Sequence, residues 1–189
     1  MKKILSIVVL GLIITSNSMA YEEAKYEVIK INKIYEIRKY FDRLAIETVI
    51  SNQGNSFRRL FNYISGNNQN NEEIKMTTPV TQIEKKGNMT MQFYLPEKFN
   101  KDNVPLPSNS DVKILNIKGG YYAVITYSGR ASDKNFIKHK SILENELRKE
   151  DILILSSPIK ATYNKPFTFP TFRRNEAMFE IKTKTKGEI

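Results

Sequence analysis

The chain has 189 residues, a formal charge of +10 and no cysteine, with one histidine and 26% charged residues. Without cysteine there is no disulfide, no thiol nucleophile and no lipid-anchored amino-terminal cysteine, and with a single histidine neither a Cys/His zinc site nor a two-histidine iron site can be assembled. The length suits one domain with a sizeable core.

Met1 to Ala20 has the features of an export signal. Lys2 and Lys3 form a basic start, Ile4 to Ile14 is an almost continuous apolar run, and Ser18 and Ala20 place small residues at the cleavage site. The run falls short of the ~20 apolar residues of a membrane span. A cleaved signal over residues 1–20 and one mature domain over 21–189 are therefore expected, in the periplasm or secreted. With Lys2 and Lys3 removed the charge falls from +10 to about +8, spread along the chain. In an exported protein this excess speaks against nucleic acid as a partner and for an anionic ligand or peripheral contact with an anionic membrane surface.

From Tyr26 the pattern has period two. YEVIKIN and KIYEIRKY read as strands, and in a third strand Leu44, Ile46, Thr48 and Ile50 alternate with Ala45, Glu47 and Val49. The period then becomes helical at Phe57, Leu60, Phe61 and Ile64, with Asn55 or Ser56 as the predicted cap and Gly66 as the stop. Lys75 to Glu84 and Met89 to Leu95 form a predicted hairpin turning at Gly87-Asn88. Pro79 in IKMTTPV belongs at a strand edge or bulge, which turns Met76 and the threonine pair toward a cavity mouth.

Pro96 to Pro107 is a polar connection, after which the element order repeats. Asp111 to Ile117 and Tyr121 to Tyr127 are predicted to pair across Gly119-Gly120. A helix over about Ser132 to Lys149 buries Phe136, Leu143 and Leu147, and strands follow near Ile159 to Tyr163 and Glu176 to Lys182. The predicted class is α+β: duplicated ββαββ units forming a distorted antiparallel β-barrel flanked by two helices. The stretch YNKPFTFPTFRRNE, Tyr163 to Glu176, carries Phe167, Phe169 and Phe172 on a proline-stiffened arm that is expected to fold back over a core or cavity. His139 falls at the flank of the second helix's apolar face, a boundary position. Glu47, Glu84 and Glu176 are the candidate acids, and the strand period makes each an outward, solvated residue. No phosphate loop, dinucleotide fingerprint or serine triad is present.

YEIRKY (Tyr35 to Tyr40), FNYISGNN (Phe61 to Asn68), IKMTTPV, FYLP (Phe93 to Pro96), the prolines before DVKI, YSG (Tyr127 to Gly129), YN-P and RRNE (Arg173 to Glu176) together resemble, in order and spacing, the SOUL haem-binding family. The resemblance spans nearly the whole of residues 21–189. It implies a distorted β-barrel with two helices and reversible binding of haem or another tetrapyrrole, without catalysis. It also implies a ligand laid against the first helix at Phe57 and Phe61. Arg58 and Arg59 on that helix are cations that suit the propionates, and Met76 is the residue that Pro79 turns to the cavity mouth, while no metal-binding residue is assigned. Two positions depart from the family pattern. Lys39 stands where some vertebrate members carry a histidine proposed as axial iron ligand, and Asn62 where one branch has lysine. Rival readings are the same barrel holding a lipid or other amphipathic effector, a hydrolase or haem-modifying enzyme using a cavity Glu or Tyr, and a partner-binding envelope protein.

Overall fold

In the computed structural model, residues 21–182 are described; the predicted export signal lies outside them. The strands are β1 (Glu22–Glu23), β2 (Tyr26–Ile31), β3 (Glu36–Tyr40), β4 (Arg43–Val49), β5 (Thr77–Thr78), β6 (Val80–Lys85), β7 (Asn88–Tyr94), β8 (Lys113–Ile117), β9 (Gly120–Tyr127), β10 (Ile159–Thr162) and β11 (Asn175–Ile181). Helix α1 (Gln53–Ile64) lies between β4 and β5, and α2 (Asp133–Lys149) between β9 and β10. The fold is the expected α+β class, with two helices on a curled antiparallel half-barrel.

Nine strands form one sheet in the order β2-β3-β9-β11-β10-β6-β7-β4-β8. Apart from β2 this order is palindromic. Exchanging β3 with β8, β4 with β9, β6 with β10 and β7 with β11 reads the sheet backwards, so the two ββαββ units are related about the β6–β10 seam. The units are also interlocked. β8 does not pair with β9 as the sequence pattern predicts; it pairs with β4, while β9 takes β3 and β11 as neighbours. Gly119 is therefore no hairpin turn. It lies where the β8–β9 connection crosses the β3–β4 connection: its N–H donates to Asp42 Oδ1 at 2.8 Å, and a Cβ there would sit 2.6 Å from the Tyr40 carbonyl oxygen. Only glycine permits that approach.

Local chemistry accounts for the element ends. The cap of α1 is Asn52, not Asn55 or Ser56: its side chain accepts from the Asn55 N–H, while the Ser56 hydroxyl donates back to the carbonyls of Asn52 and Val49. Gly66, at φ +101°, follows the last turn as predicted. Ser132 caps α2, with Asp133 in the first turn and Arg148 and Lys149 in the last, the charge order that the helix dipole favours. The β6–β7 hairpin turns on Lys86-Gly87 rather than Gly87-Asn88, since Lys85 pairs with Asn88 and both turn residues have positive φ.

Both helices cover the same sheet face. Under α1 lie Leu44, Ile46, Met91 and Phe93, meeting Leu60, Tyr63 and Ile64. Under α2 lie Ala123, Ile125, Tyr127, Ala177 and Phe179, meeting Leu143 and Leu147, with Phe136 partly buried beside them. The opposite face holds Tyr40, Tyr122, Val124, Ala161 and Met178, and there Glu176 is 0% exposed. This overturns its expected solvated position. One carboxyl oxygen accepts from Arg38 (3.0 Å), Arg174 (2.9 Å) and Thr126 (3.3 Å), and the other from the Tyr163 hydroxyl (2.6 Å). A buried carboxylate is tolerated when its charge and lone pairs are matched in this way. Glu47 lies on the same face and accepts from Lys85, Thr90 and Gln92. Only Glu84 of the three is exposed.

Candidate ligand cleft

Between α1 and α2, above the β6–β10 seam, the sheet is left uncovered and a cleft of about 500 Å³ opens. This is the size of a small-molecule site. One wall is the α1 face of Gln53, Gly54, Phe57 and Phe61; the floor is Val80 and Gln82 of β6, Met91 of β7 and Lys160 and Thr162 of β10; the far rim is Asn164 to Pro166 with Arg173. A second depression, beside Arg43, measures about 130 Å³, too small for such a ligand.

Helix α1 divides the apolar stripe read from its period. Leu60 and Ile64 enter the core, whereas Phe57 and Phe61 stand one flank over and remain 41% and 45% exposed. Their rings are stacked at 14° with centroids 6.1 Å apart, and Phe57 is braced edge-on by Phe93 at 5.1 Å. Packing against the sheet therefore holds two aromatic rings at the cleft, each a little under half exposed. Met76, partly buried against the α1 core, and Thr78 also line the cleft. Thr77 points the other way, donating to the Tyr94 carbonyl at 2.6 Å.

Of the four residues singled out by sequence, Phe57, Phe61 and Met76 thus meet at one cleft. Arg58 does not join them: it is exposed on the outer side of α1 and donates to Asn55 Oδ1 at 3.0 Å. The cations near the cleft are others. Lys160 is held by Asp133 at 2.8 Å, and the Arg173 guanidinium donates to the carbonyls of Thr168 and Pro166. Lys165 stands at the rim with its ammonium 5.5 Å from the centre of the Tyr21 ring. Sequence reasoning passed over Lys165 and Thr162, because β10 and the arm reach the cleft from far along the chain, and over Met91 of β7, because a strand methionine reads equally as a core filler.

Strong iron ligands are scarce at this site. Lys39 is on β3, separated from β6 by β9, β11 and β10, and does not line the cleft. His139 sits partly buried on α2, its ring stacked on Tyr127 at 4.0 Å and its Nδ1 2.8 Å from the Asn135 carbonyl oxygen. The Tyr163 hydroxyl is spent on Glu176, on the opposite sheet face; burial and the Glu176 charge hold this phenol protonated, well above the ordinary tyrosine range. Of the lining side chains, the Met76 and Met91 thioethers remain as soft donors. Among the described residues no cluster of three or more metal-ligating acids or histidines occurs, and no helix is long and apolar enough to cross a membrane.

The arm departs from expectation. Tyr163 packs back against the core, but Phe167, Phe169 and Phe172 are 98%, 74% and 78% exposed, so these rings plug nothing. The arm folds around Arg173 instead of around its own phenylalanines.

A family model for the SOUL heme-binding proteins matches residues 21–180. Heme-binding protein 2 of Mus musculus is 29% identical over 147 residues, covering 70% of this chain and 71% of the mouse protein. Heme-binding protein 1 of Xenopus tropicalis is 25% identical over 170 residues, covering 86% and 84%. Among solved structures, the carboxy-terminal domain of EcmrR superposes with a TM-score of 0.60 at 11% identity, covering 84% of this chain and 99% of that domain, a likeness of fold alone.

Proposed function

The chain belongs to the SOUL heme-binding protein family, and from that premise we propose that it is an exported, non-catalytic binder or carrier of haem or a related tetrapyrrole, held in the cleft between α1 and α2. The observation that carries this reading is the stacked pair Phe57 and Phe61, presented half-exposed over a floor of Val80 and Met91. A flat aromatic ligand covers such rings, and Lys165 at the rim suits a propionate. The side chains fit a porphyrin by enclosure and charge, and the donors they offer an iron atom are two weak thioethers, Met76 and Met91, and at the rim the Tyr21 phenol, whose ring already faces the Lys165 ammonium. Binding is accordingly expected to depend on the ring system more than on the metal.

A hydrolase reading finds little support, since Glu176, with donors on both carboxyl oxygens, and Glu47, held through one oxygen by Lys85, Thr90 and Gln92, lie on the face away from the cleft. The same cleft holding a lipid or other amphipathic effector is the closer rival. Parallel titrations with haemin and with iron-free protoporphyrin test the proposal. One equivalent of each should saturate the protein with dissociation constants within about tenfold of one another, that is within ~1.4 kcal/mol. No saturable binding of either would sink the tetrapyrrole reading; much tighter haemin binding with a ligated-iron spectrum would overturn the expectation that the ring system dominates, by showing that a lining side chain ligates the iron.

A further inference from the structure

The exposed phenylalanines of the arm have no role in the cleft, yet their backbone is well held. Arg173 Nε donates to the Thr168 carbonyl at 2.8 Å and a second guanidinium nitrogen to that of Pro166; the Gly129 N–H donates to the Pro170 carbonyl at 2.8 Å. Pro170–Phe172 forms a 3₁₀ turn. The rings are thus displayed by an ordered loop. Exposed apolar clusters of this kind mark contact sites on soluble domains.

Charge around the rings points to the contact. From Tyr163 to Asn175 there is no acidic residue, whereas Lys165 and Arg173 are present; the third cation, Arg174, is engaged by Glu23 and Glu176. Across the groove under Phe167 and Phe169 lies Arg130, followed by exposed Lys134 and Lys138 on α2. The one acid of that segment, Asp133, is engaged by Lys160. Apolar tips inside a basic collar match the acyl boundary and headgroups of an anionic bilayer. Size argues the same way. Three rings of ~200 Å² each, at these exposures, offer about 500 Å², below the ~800 Å² that each partner of a standard protein interface contributes but enough for tip insertion into lipid.

We propose that Phe167, Phe169 and Phe172 form a membrane-docking wedge for anionic bilayers. The wedge stands on the arm alone and does not depend on what the cleft binds. Because Pro166 and Arg173 border both, docking sets the cleft mouth beside the membrane surface.

Vesicle flotation tests it, using the full chain as produced and processed, with its amino terminus fixed by intact mass so that wild type and variants are compared with the same end. Wild type should float with phosphatidylglycerol vesicles, less with phosphatidylcholine, and less as salt screens the collar. F167S/F169S/F172S should lower partitioning about tenfold or more with the thermal unfolding midpoint kept, the rings being outside the core. The chain has no tryptophan. Phe169→Trp therefore supplies a single reporter, which should shift to the blue with anionic vesicles and be quenched by brominated lipid. Absence of wild-type flotation, equal flotation of the triple variant, or an unmoved Trp spectrum would overturn the proposal. So would a self-associated wild type that becomes monomeric in the triple variant, since the rings would then cover a second copy.

Discussion

Phe61→Ala should weaken tetrapyrrole binding far more than Leu143→Ala, and the structure gives the size of the difference. Phe61 is 45% exposed, so of the ~200 Å² of a phenylalanine side chain about 90 Å² is free for a ligand to cover. At ~25 cal/mol per Å² this is about 2 kcal/mol, roughly a thirtyfold rise in dissociation constant. Leu143, fully buried on the sheet-facing side of α2, does not line the cleft; its truncation should cost about 2–5 kcal/mol of folding stability and leave the affinity of the folded protein unchanged. The covered half of Phe61 also supports the fold, so both variants are to be titrated well below their unfolding midpoints, with denaturant curves fixing the folded fraction. Fluorescence quenching of protoporphyrin and the haemin Soret band give the affinities. Equal losses in the two variants, or no loss in Phe61→Ala, would refute placement of the ligand against α1.

Gly119→Ala should lower stability by about 1–3 kcal/mol in a thermal or denaturant melt, because the new Cβ meets a backbone carbonyl at 2.6 Å where two connections cross; an unchanged midpoint would count against the crossing. Burial, aided in Tyr40, Tyr127 and Tyr163 by the Glu176 charge, raises the phenols of all three, and burial pushes Tyr63 up to about 12. The folded protein thus keeps protons that the unfolded chain releases above its tyrosine pKa of about 10, so this stability is complete below that pH and is lost as pH rises through the folded values. Ultraviolet titration should show these phenols ionising together with loss of circular dichroism, and one reversible step for all 10 tyrosines would contradict their burial. His139→Ala should leave the haemin titration and spectrum unchanged, since the ring stacks on Tyr127 outside the cleft. Protein recovered from the cell envelope should begin at Tyr21; recovery with Met1 intact would refute cleavage.

Periodicity along the chain was enough to locate both helices, most strands and the repeated ββαββ order, because neighbours two, three or four residues apart decide which face of an element is apolar. Phe57 and Phe61 entered the site through the family resemblance, and Met76 through the preference of Pro79 for a strand edge or bulge. Which strand pairs with which was decided only in three dimensions: β3 and β8 each join the other unit's second strand, and no local pattern distinguishes that exchange from a hairpin at Gly119-Gly120. Glu176 reads as an outward residue until Arg38, distant in sequence, and Arg174 arrive to match its charge. The α1 stripe reads as one face until the sheet takes Leu60 and Ile64 and leaves Phe57 and Phe61 over the seam. The arm's phenylalanines read as core until Arg173 occupies the centre of their loop. In each case the deciding contact comes from a different element or from the closure of a loop, so burial there is a property of the assembled layers and not of the local sequence.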